Sequence, residues 1–210
     1  MRRARRLPVE ELAPFLLSIP EAPIPCDWRR VFGNDNPVEI EIGFGKGLFL
    51  LTAAQACSSV NFVGVEIVRK YQLYAATRLA KRTLGNVRLA KADARIFLRD
   101  HVASGSCQGV HVYFPDPWWK KRHLKRRVFT AEFARECERV LRSSGKLHVA
   151  TDVAEYFQVM SQLVSQSARM TPLPPPEIPI PAHDLDYLTN FERKLRKEGR
   201  SIYRAIYEKL

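Results

Sequence analysis

The sequence has few cysteines, no long apolar run and no excess of acidic residues. Its four cysteines, in a chain of 210 residues, stand far apart without a C-x-x-C pair. That pattern excludes a zinc ribbon and a disulfide framework, and it favours reduced thiols in a cytoplasmic protein. No apolar run approaches the ~20 residues that a membrane-spanning helix needs. Acids and prolines interrupt the segment after the basic first residues, so we expect no signal peptide.

Several signatures of catalysis are also missing. The chain has no G-x-S-x-G nucleophile elbow, no H-E-x-x-H zinc motif and no phosphate-binding P-loop. Its five histidines do not have the spacing of metal ligands, so we expect no metal. His111 and His148 alternate with apolar residues inside strand-like segments, and we interpret them as buried and hydrogen-bonded.

Basic residues are what the chain has in excess. It carries 34 Lys and Arg against 22 Asp and Glu, a net charge of +12. Such an excess attracts polyanions, and six of the cations crowd between Lys120 and Arg127. We interpret this run as a nucleic-acid-binding segment, with a solvated basic face as the alternative. Residues 1–30 are interpreted as a basic, proline-rich arm that either touches a phosphate backbone or is a disordered tail.

Strand-like and helix-like segments alternate from residue 38 onwards, which indicates βαβ units and a parallel sheet. We expect one domain over residues 31–210 with a Rossmann-like α/β fold. Its sheet is predicted to have seven mostly parallel strands, helices on both faces, and an antiparallel C-terminal strand at the edge. Residues 171–182 are too rich in proline for regular structure and are interpreted as a stiff connector. The predicted parallel strands span residues 38–42, 60–66, 86–91, 109–114 and 146–151.

Apolar residues at helical spacing predict helices between these strands. Thr130 is the expected N-cap of one of them, and its apolar face is predicted to extend to Leu141. Gly85 is the expected stop signal of the helix that follows the second strand. The other predicted helices span residues 47–57, 94–103 and 153–169.

A glycine-rich turn, "EIGFGKG", follows the first predicted strand. Its G-x-G-x-G spacing is tighter than the G-x-G-x-x-G that holds a dinucleotide pyrophosphate. Glu41, immediately before the turn, is awkward for a diphosphate and suits a cation. We therefore expect Glu41, Gly43 and Gly45 to hold a cationic ligand, with plain turn chemistry as the alternative. Glu39, earlier in the same strand, has no partner that the sequence identifies.

Two further acids follow the next two strands. Glu66 closes the second strand, where a carboxylate can accept both hydroxyl donors of a ribose. Asp93 follows the third, where it can accept from an adenine amino group, although a helix cap is the alternative. A ligand with ribose, adenine, an ammonium and a sulfonium, and no phosphate, matches three acids at one edge of a sheet. That ligand is S-adenosylmethionine.

Several longer motifs carry a family resemblance. The stretches "VEIEIGFGKG", "FVGVEI", "ADAR", "FPDPWWKKRHLKRR", "ATD" and "TNFERKLRKEGRSIYRAIYEK" resemble the bacterial tRNA (guanine-N7-)-methyltransferases, from about Val38 to the C-terminus. The resemblance implies a class I methyltransferase fold, S-adenosylmethionine as cofactor and tRNA as partner. It also implies methylation of guanine N7 at position 46 in the variable loop. The N-terminal arm lacks the R-G-R-like pattern of many relatives, and Trp119 is a departure from them.

Asp116 stands between two prolines after the fourth predicted strand, and we expect it to be the catalytic residue and to contact the cofactor. An ionised carboxylate is acceptor-only and can take two hydrogen bonds from the N1–H and amino group of guanine. Adenine offers no such pair of donors and would leave the carboxylate unpaired. A proline-bracketed turn with Asp116 as a cap is the alternative. Trp118 or Trp119 is expected to stack on a base, and the other to pack in the core.

The same resemblance implies the residues that contact tRNA. Lys120 matches a substrate-contacting lysine, and the basic residues that follow it match an RNA-contacting segment. Asp152 and the "TNFE" stretch are implied as substrate contacts, although Asp152 and Thr189 also fit helix N-caps, with Glu192 completing a capping box. The full set of implied RNA or substrate contacts is Lys120, Arg122, Lys125, Arg126, Arg127, Asp152, Thr189, Asn190 and Glu192.

The expected protein is therefore an enzyme that acts as a monomer or homodimer without an obligate protein partner. Two alternatives stay open from the sequence. One is a methyltransferase that acts on another RNA, since a basic run does not distinguish tRNA from rRNA. The other is a catalytically silent RNA-binding module on the same fold.

Overall fold

A computed structural model describes residues 7–22, 24–118, 121–174 and 181–210. Its centre is one eight-stranded sheet with the strand order β1-β4-β3-β2-β5-β6-β8-β7. The strands are Leu16–Leu17 (β1), Val38–Ile42 (β2), Asn61–Glu66 (β3), Val87–Lys91 (β4), Cys107–Tyr113 (β5), Leu141–Thr151 (β6), Met170–Leu173 (β7) and Tyr203–Lys209 (β8). All pairs from β1 to β6 are parallel, and β8 pairs antiparallel with both β6 and β7.

Helices connect the parallel strands and cover both faces of the sheet. They are Val9–Leu12 (α1), Trp28–Phe32 (α2), Leu48–Ala56 (α3), Arg69–Ala80 (α4), Ala94–Ile96 (α5), Ala131–Val140 (α6), Ala154–Ser165 (α7) and Asn190–Lys197 (α8). Among the described residues, no helix has the length and apolar character to cross a membrane.

Two apolar cores form where the helices meet the sheet. On one face, Val63 and Val110 pack in a cluster that also holds Phe133 of α6 and Tyr156 of α7. On the other face, α1, α3 and α4 pack against β3 and β4 in a second cluster. Alternation of side chains along each strand divides the residues between these faces, which is why strands with apolar residues on both sides lie at the centre.

The predicted α/β fold is confirmed, with helices on both faces and a mostly parallel sheet. The sheet has eight strands rather than seven, because Leu16–Leu17 adds a short parallel strand beside β4. Leu12, nearby, is fully buried in the second core. The described part of the N-terminal segment therefore packs on the sheet edge and is not a disordered tail.

The prediction was wrong about the edge next to the C-terminus. The antiparallel C-terminal strand exists, but β8 lies between β6 and β7, and β7 forms the edge. Residues 171–173, predicted as part of a connector, belong to β7. An edge strand tolerates Pro172 because one side of it needs no backbone hydrogen bonds. Residues 175–180 of the predicted connector lie outside the described residues.

Several helix boundaries also differ from the predictions. Leu141 begins β6 instead of ending α6. The chain leaves α4 at Ala80, five residues before the expected stop at Gly85. The predicted helix over 94–103 is one α-helical turn followed by a π-helical turn, Phe97–His101. Thr130 caps α6 as expected, since its side chain accepts a hydrogen bond from the Phe133 amide.

Gly64, in the middle of β3, allows the two layers to approach closely. A Cβ atom at this position would lie 2.5 Å from Leu50 Cδ1, 2.6 Å from Phe44 Cδ1 and 2.9 Å from Leu89 Cδ2. These three neighbours are buried core side chains, so they have little space into which they can move. Phe44 belongs to the glycine-rich turn. The absence of a side chain at Gly64 therefore allows this turn to pack close to the sheet.

We expect Gly64→Ala to lower the free energy of unfolding by about 1–3 kcal/mol, because it overpacks this contact. Gly85→Ala is the matched control, since no heavy atom lies within 4 Å of a Cβ there. The control should change stability by less than about 0.5 kcal/mol. Urea denaturation measures both variants, and equal stability of the two would contradict the expectation.

Candidate active site

The carboxyl ends of the parallel strands bring five acidic residues to one edge of the sheet. They are Glu41 near the end of β2, Glu66 at the end of β3, Asp93 after β4, Asp116 after β5 and Asp152 after β6. Because these five strands are parallel, their carboxyl ends share an edge, which is where open α/β sheets bind ligands. The predicted convergence of Glu41, Glu66 and Asp93 on one edge is therefore observed.

The glycine-rich turn leaves open space where a ligand would lie. Gly43 and Gly45 have φ angles of +70° and +52°, in the left-handed region that glycine adopts without strain. No heavy atom lies within 4 Å of a Cβ at either position. Gly47, by contrast, rests on α4, where a Cβ would lie 2.8 Å from Ala75 Cβ. The turn therefore packs against α4 at Gly47 and is open to a ligand at Gly43 and Gly45.

Glu66 is fixed by backbone amides. Its Oε2 accepts from the Gly45 amide at 3.0 Å, and its Oε1 accepts from the Val68 amide at 3.0 Å. The carboxylate therefore couples the glycine-rich turn to the start of α4. Each oxygen retains a further acceptor site, which is the property that a pair of ribose hydroxyls requires.

Glu41 is the least satisfied acid at this edge. It is 3% exposed, and its Oε2 has no hydrogen-bond partner among the described residues. Burial, with a smaller contribution from the charge of Glu66, raises the pKa of Glu41 to about 8. A buried carboxylate beside an open turn fits a ligand that brings a cationic group, such as the ammonium group of S-adenosylmethionine.

Asp93 has the role of a helix cap. It accepts a hydrogen bond from the Arg95 amide at 2.9 Å and forms an ion pair with the Arg95 side chain at 2.6 Å. Hydrogen bonding from Arg95 holds the pKa of Asp93 below its usual range. The capping alternative is confirmed, and an adenine contact by Asp93 stays a prediction.

The loop that carries Asp116 leaves β5 through two unusual backbone conformations. Phe114 and Trp118 have φ angles of +53° and +42°, which are uncommon for bulky residues. Asp116 lies between them with an exposed side chain. Trp118 is half-buried and packs against Arg126, whose Cζ lies 5.1 Å from the ring centroid. Trp119 lies outside the described residues.

The basic residues after this loop differ in how exposed their side chains are. A 3₁₀ helix spans Lys121–Arg126, and the predicted RNA contacts Arg122, Lys125 and Arg126 are exposed. Arg127 differs, because it is half-buried and its Nε donates to the carbonyl of Pro117 at 2.7 Å. Lys120 lies outside the described residues.

Asp152 is the first of two acids near the C-terminal segment that pair with an arginine. It forms an ion pair with Arg200 at 2.6 Å. The predicted N-cap role is wrong for Asp152, because the residue before α7 is Val153 and no side chain caps that helix.

Glu192 is the second acid that pairs with an arginine. It is 1% exposed, and its carboxylate lies 2.7 Å from the Arg204 side chain of β8. Its Oε2 has no hydrogen-bond partner among the described residues. Thr189 caps α8 by accepting from the Glu192 amide at 3.0 Å, so half of the predicted capping box is present. Asn190 accepts a bond of 3.4 Å from Arg193.

Glu39 has a partner that the sequence did not reveal. Its Oε2 lies 2.8 Å from His111 Nε2, its Oε1 accepts from Gln108, and His111 Nδ1 lies 2.8 Å from the Tyr113 hydroxyl. Burial raises the pKa of Glu39, but bonds and charge from His111 outweigh it and leave that pKa below its usual value. His111 also stacks on His148 at 4.5 Å. Alternating polar residues in neighbouring strands were the only sequence signal for this cluster.

His111, Tyr113 and His148 face a cavity of about 520 Å³ between α3, the sheet and α8. Phe49, Tyr113, His148 and Glu192 are among its lining residues. Burial, followed by the neighbouring His111, lowers the pKa of His148 to about 3, so this ring is neutral at physiological pH. The interpretation of His111 as buried and hydrogen-bonded is confirmed, whereas His148 is half-buried.

Known proteins resemble this chain over most of its length. Residues 35–205 match a family model described as "Putative methyltransferase". The tRNA (guanine-N(7)-)-methyltransferase of Rhodopirellula baltica is 42% identical over 208 residues, which is 96% of this chain and 77% of the relative. The enzyme of that name from Geobacter metallireducens is 33% identical over 204 residues, covering 96% of this chain and 95% of the relative.

Solved structures share the fold at low sequence identity. An antibiotic-related methyltransferase aligns with a TM-score of 0.60 at 14% identity, covering 87% of this chain and 92% of that one. A 30S ribosomal A1408 methyltransferase from an uncultured bacterium aligns with a TM-score of 0.57 at 12% identity and the same coverage of both chains. At such identities the likeness establishes the fold alone.

The buried Glu41 carboxyl should make stability depend on pH. Its pKa in the folded protein, about 8, lies above the ordinary 4.5, so folding favours the protonated form. The contribution of the protonated carboxyl to the free energy of unfolding is therefore fully present below about pH 4.5. It is lost as the pH rises through about 8, and the free energy of unfolding falls by up to about 1.4 kcal/mol per pH unit. Urea unfolding should show Glu41→Gln gaining stability relative to the unsubstituted protein over this range. A difference independent of pH would contradict this.

The same carboxyl should release a proton when a cation binds. At pH 7 Glu41 is mostly protonated in the free protein, and an ammonium group next to it would favour the carboxylate. Titration calorimetry with S-adenosylmethionine in two buffers of different ionisation enthalpy measures this release, which Glu41→Gln should abolish.

Proposed function

The chain belongs to the tRNA (guanine-N7-)-methyltransferase family, and from that premise we propose that it methylates guanine N7 at position 46 in the variable loop of tRNA. The methyl donor is S-adenosylmethionine. The observation that carries the proposal is the unpartnered, buried Glu41 oxygen beside an open glycine-rich turn. It leaves a place for a cationic ligand at the edge where Asp116 also stands.

On the cofactor side, each residue has one task. Glu41 accepts from the ammonium group, and the turn of Gly43 and Gly45 admits the ligand close to the backbone. Glu66, held by two amides, accepts from the ribose hydroxyls. Asp93 lies where the adenine amino group would approach, and its ion pair with Arg95 keeps it ionised. When bound, S-adenosylmethionine supplies a methyl group on a sulfonium centre.

On the substrate side, the chain selects and orients guanine and needs no general base. Guanine N7 has a lone pair and no proton, so the chemistry requires alignment and compensation of the charge that develops on the purine. Asp116 accepts from the N1–H and amino group of guanine and stabilises that positive charge. When S-adenosylmethionine is bound, Asp116 would also contact this methyl donor.

RNA contacts are proposed for the exposed cations and for the acids near the C-terminus. Arg122, Lys125 and Arg126 would bind the phosphate backbone, which positions the RNA without reading its sequence. The proposed contacts also include Lys120, Asp152, Thr189, Asn190 and Glu192, whereas Arg127 packs on Tyr156 and donates to the Pro117 carbonyl. For the acids, the ion pairs with Arg200 and Arg204 support the proposal by holding each carboxylate in a defined place.

We also propose the organisation of the enzyme. Residues 31–210 form one methyltransferase domain, and residues 1–30 form a basic arm whose described part packs on the sheet edge. The enzyme would act in the cytoplasm as a monomer or homodimer, without a metal and without an obligate protein partner.

Two tRNA transcripts that differ only at position 46 test the proposed reaction. With labelled S-adenosylmethionine, the transcript carrying guanine there should be methylated, and the transcript carrying adenine should not. Reduction and aniline cleavage should cut the labelled strand at that nucleotide, because this chemistry requires N7-methylguanine. Equal labelling of both transcripts, or label found only in rRNA, would contradict the proposal. Binding of tRNA without any transfer would favour a silent RNA-binding module.

Replacement of Asp116 by asparagine should nearly abolish methylation and preserve cofactor binding. Asparagine has the same shape, but its amide donor would face the donors of guanine, so we expect the rate to fall about 10²-fold or more. Asp35→Asn is the matched control, because Asp35 is an exposed acid paired with Arg29 away from the site. Single-turnover rates and cofactor titration measure both variants. Turnover close to that of the unsubstituted enzyme in Asp116→Asn would rule out the role.

A further inference from the structure

The loop around Asp116 is held in a conformation that its own sequence does not favour. Two bulky residues with positive φ, Phe114 and Trp118, flank the segment that carries the carboxylate. Such conformations persist only where the surroundings enforce them, and they often occur at functional sites. The contacts that enforce this one should therefore control where Asp116 lies.

Arg127 makes two such contacts. Its Nε donates to the carbonyl of Pro117 at 2.7 Å. Its guanidinium lies over the ring of Tyr156, with Cζ 4.6 Å from the ring centroid. Tyr156 is 1% exposed and belongs to the core under α7. Arg127 thus links the loop to the buried core on this face of the sheet.

The position of the contacted carbonyl gives this link its effect. The Pro117 carbonyl belongs to the peptide group that joins Pro117 to Trp118, and rotation of that group about the N–Cα bond of Trp118 is the φ angle. A hydrogen bond that holds the carbonyl therefore restricts the left-handed φ of Trp118. The same hydrogen bond restrains the C-terminal end of the Pro-Asp-Pro segment. The N-terminal end of that segment follows Phe114, the first residue after β5.

We propose that Arg127 is a positioning residue that holds Asp116 in place through Pro117, an inference that rests on the proposed role of Asp116. This differs from the phosphate contact expected from the basic run. Arg126, its neighbour, is exposed and packs on the outer face of Trp118. Arg127 points inwards, and its guanidinium plane is already stacked. Of the two adjacent arginines, Arg126 therefore packs on the ring of Trp118 and Arg127 holds the carbonyl before it, and they have different functions.

Substitution by lysine separates the two functions. Lysine keeps the charge, which is what phosphate binding needs, but it has no planar fork to donate to the carbonyl and stack on Tyr156 at once. We expect Arg127→Lys to lower kcat about 10- to 100-fold, as small displacements of catalytic groups do. Its tRNA Kd and the dependence of that Kd on salt should stay unchanged.

Arg126→Ala is the matched comparison. It should weaken tRNA binding and reduce the slope of log K against log salt by about 0.7–0.9, the contribution of one phosphate contact. Arg127→Ala, which also removes the charge, should leave the salt slope unchanged if Arg127 only positions the loop. A slope reduced as in Arg126→Ala would overturn the proposal in favour of a phosphate contact. An unchanged kcat in Arg127→Lys would also overturn it.

A double variant shows whether Arg127 acts through Asp116. In the Asp116→Asn background, Arg127→Lys should cost no further activity, whereas independent effects would multiply and overturn the proposal. Single-turnover rates are referred to the folded fraction, measured by the stoichiometry of cofactor binding, so that a loss of stability does not count as a loss of rate. The unsubstituted enzyme is assayed alongside, and a failure of its transfer to guanine would reject the proposed function rather than the role of Arg127.

Discussion

The arrangement of the site depends on one electrostatic constraint, which is that five carboxylates gather at one edge of a parallel sheet and all except Asp116 are partly or fully buried. Each needs a donor or a cation, because a buried carboxylate without one is costly. Glu66 has backbone amides, and Asp93, Asp152 and Glu192 each have an arginine. Glu41 and Glu192 each have one oxygen without a partner among the described residues, but Glu192 is paired with Arg204, whereas Glu41 has no ion pair there and its pKa is raised to about 8. The missing partner of the Glu41 carboxyl therefore indicates where the cationic group of a ligand would bind.

The parallel half of the sheet could be predicted from the sequence because its signals are local. Apolar runs, helical spacing and a glycine-rich turn lie within single βαβ units, and the carboxyl ends of β2, β3 and β4 follow from them. The order of β7 and β8 could not be predicted, since it depends on antiparallel pairing between β6 and a strand over 50 residues later. Pro172 weakened the strand signal further, and only an edge position makes it acceptable.

The acids of the site were predictable, but their partners were not. Arg200 and Arg204 lie far along the chain from Asp152, and nothing in their spacing indicates that one of them pairs with it. The cluster of Glu39 and His111 is similar. A polar residue inside a parallel strand contradicts the expected apolar pattern, and the explanation is a polar neighbour: Glu39 pairs with His111, which lines the cavity between α3, the sheet and α8. The irregular pattern of "VEIEI" therefore has two separate causes, which are the His111 partner of Glu39 and the position of Glu41 at the edge of the site.

The basic run shows why charge alone is an incomplete guide to function. Net charge and clustering predict an affinity for RNA, and they treat adjacent arginines as equivalent. In the structure, Arg126 faces outwards on Trp118, whereas Arg127 faces inwards on Tyr156 and donates to the loop that carries Asp116. A guanidinium can do this because it combines a planar stacking face with directed donors. The same stretch of chain therefore presents cations to a polyanion and fixes the carboxylate that would read its base, which couples substrate capture to the geometry of the reaction.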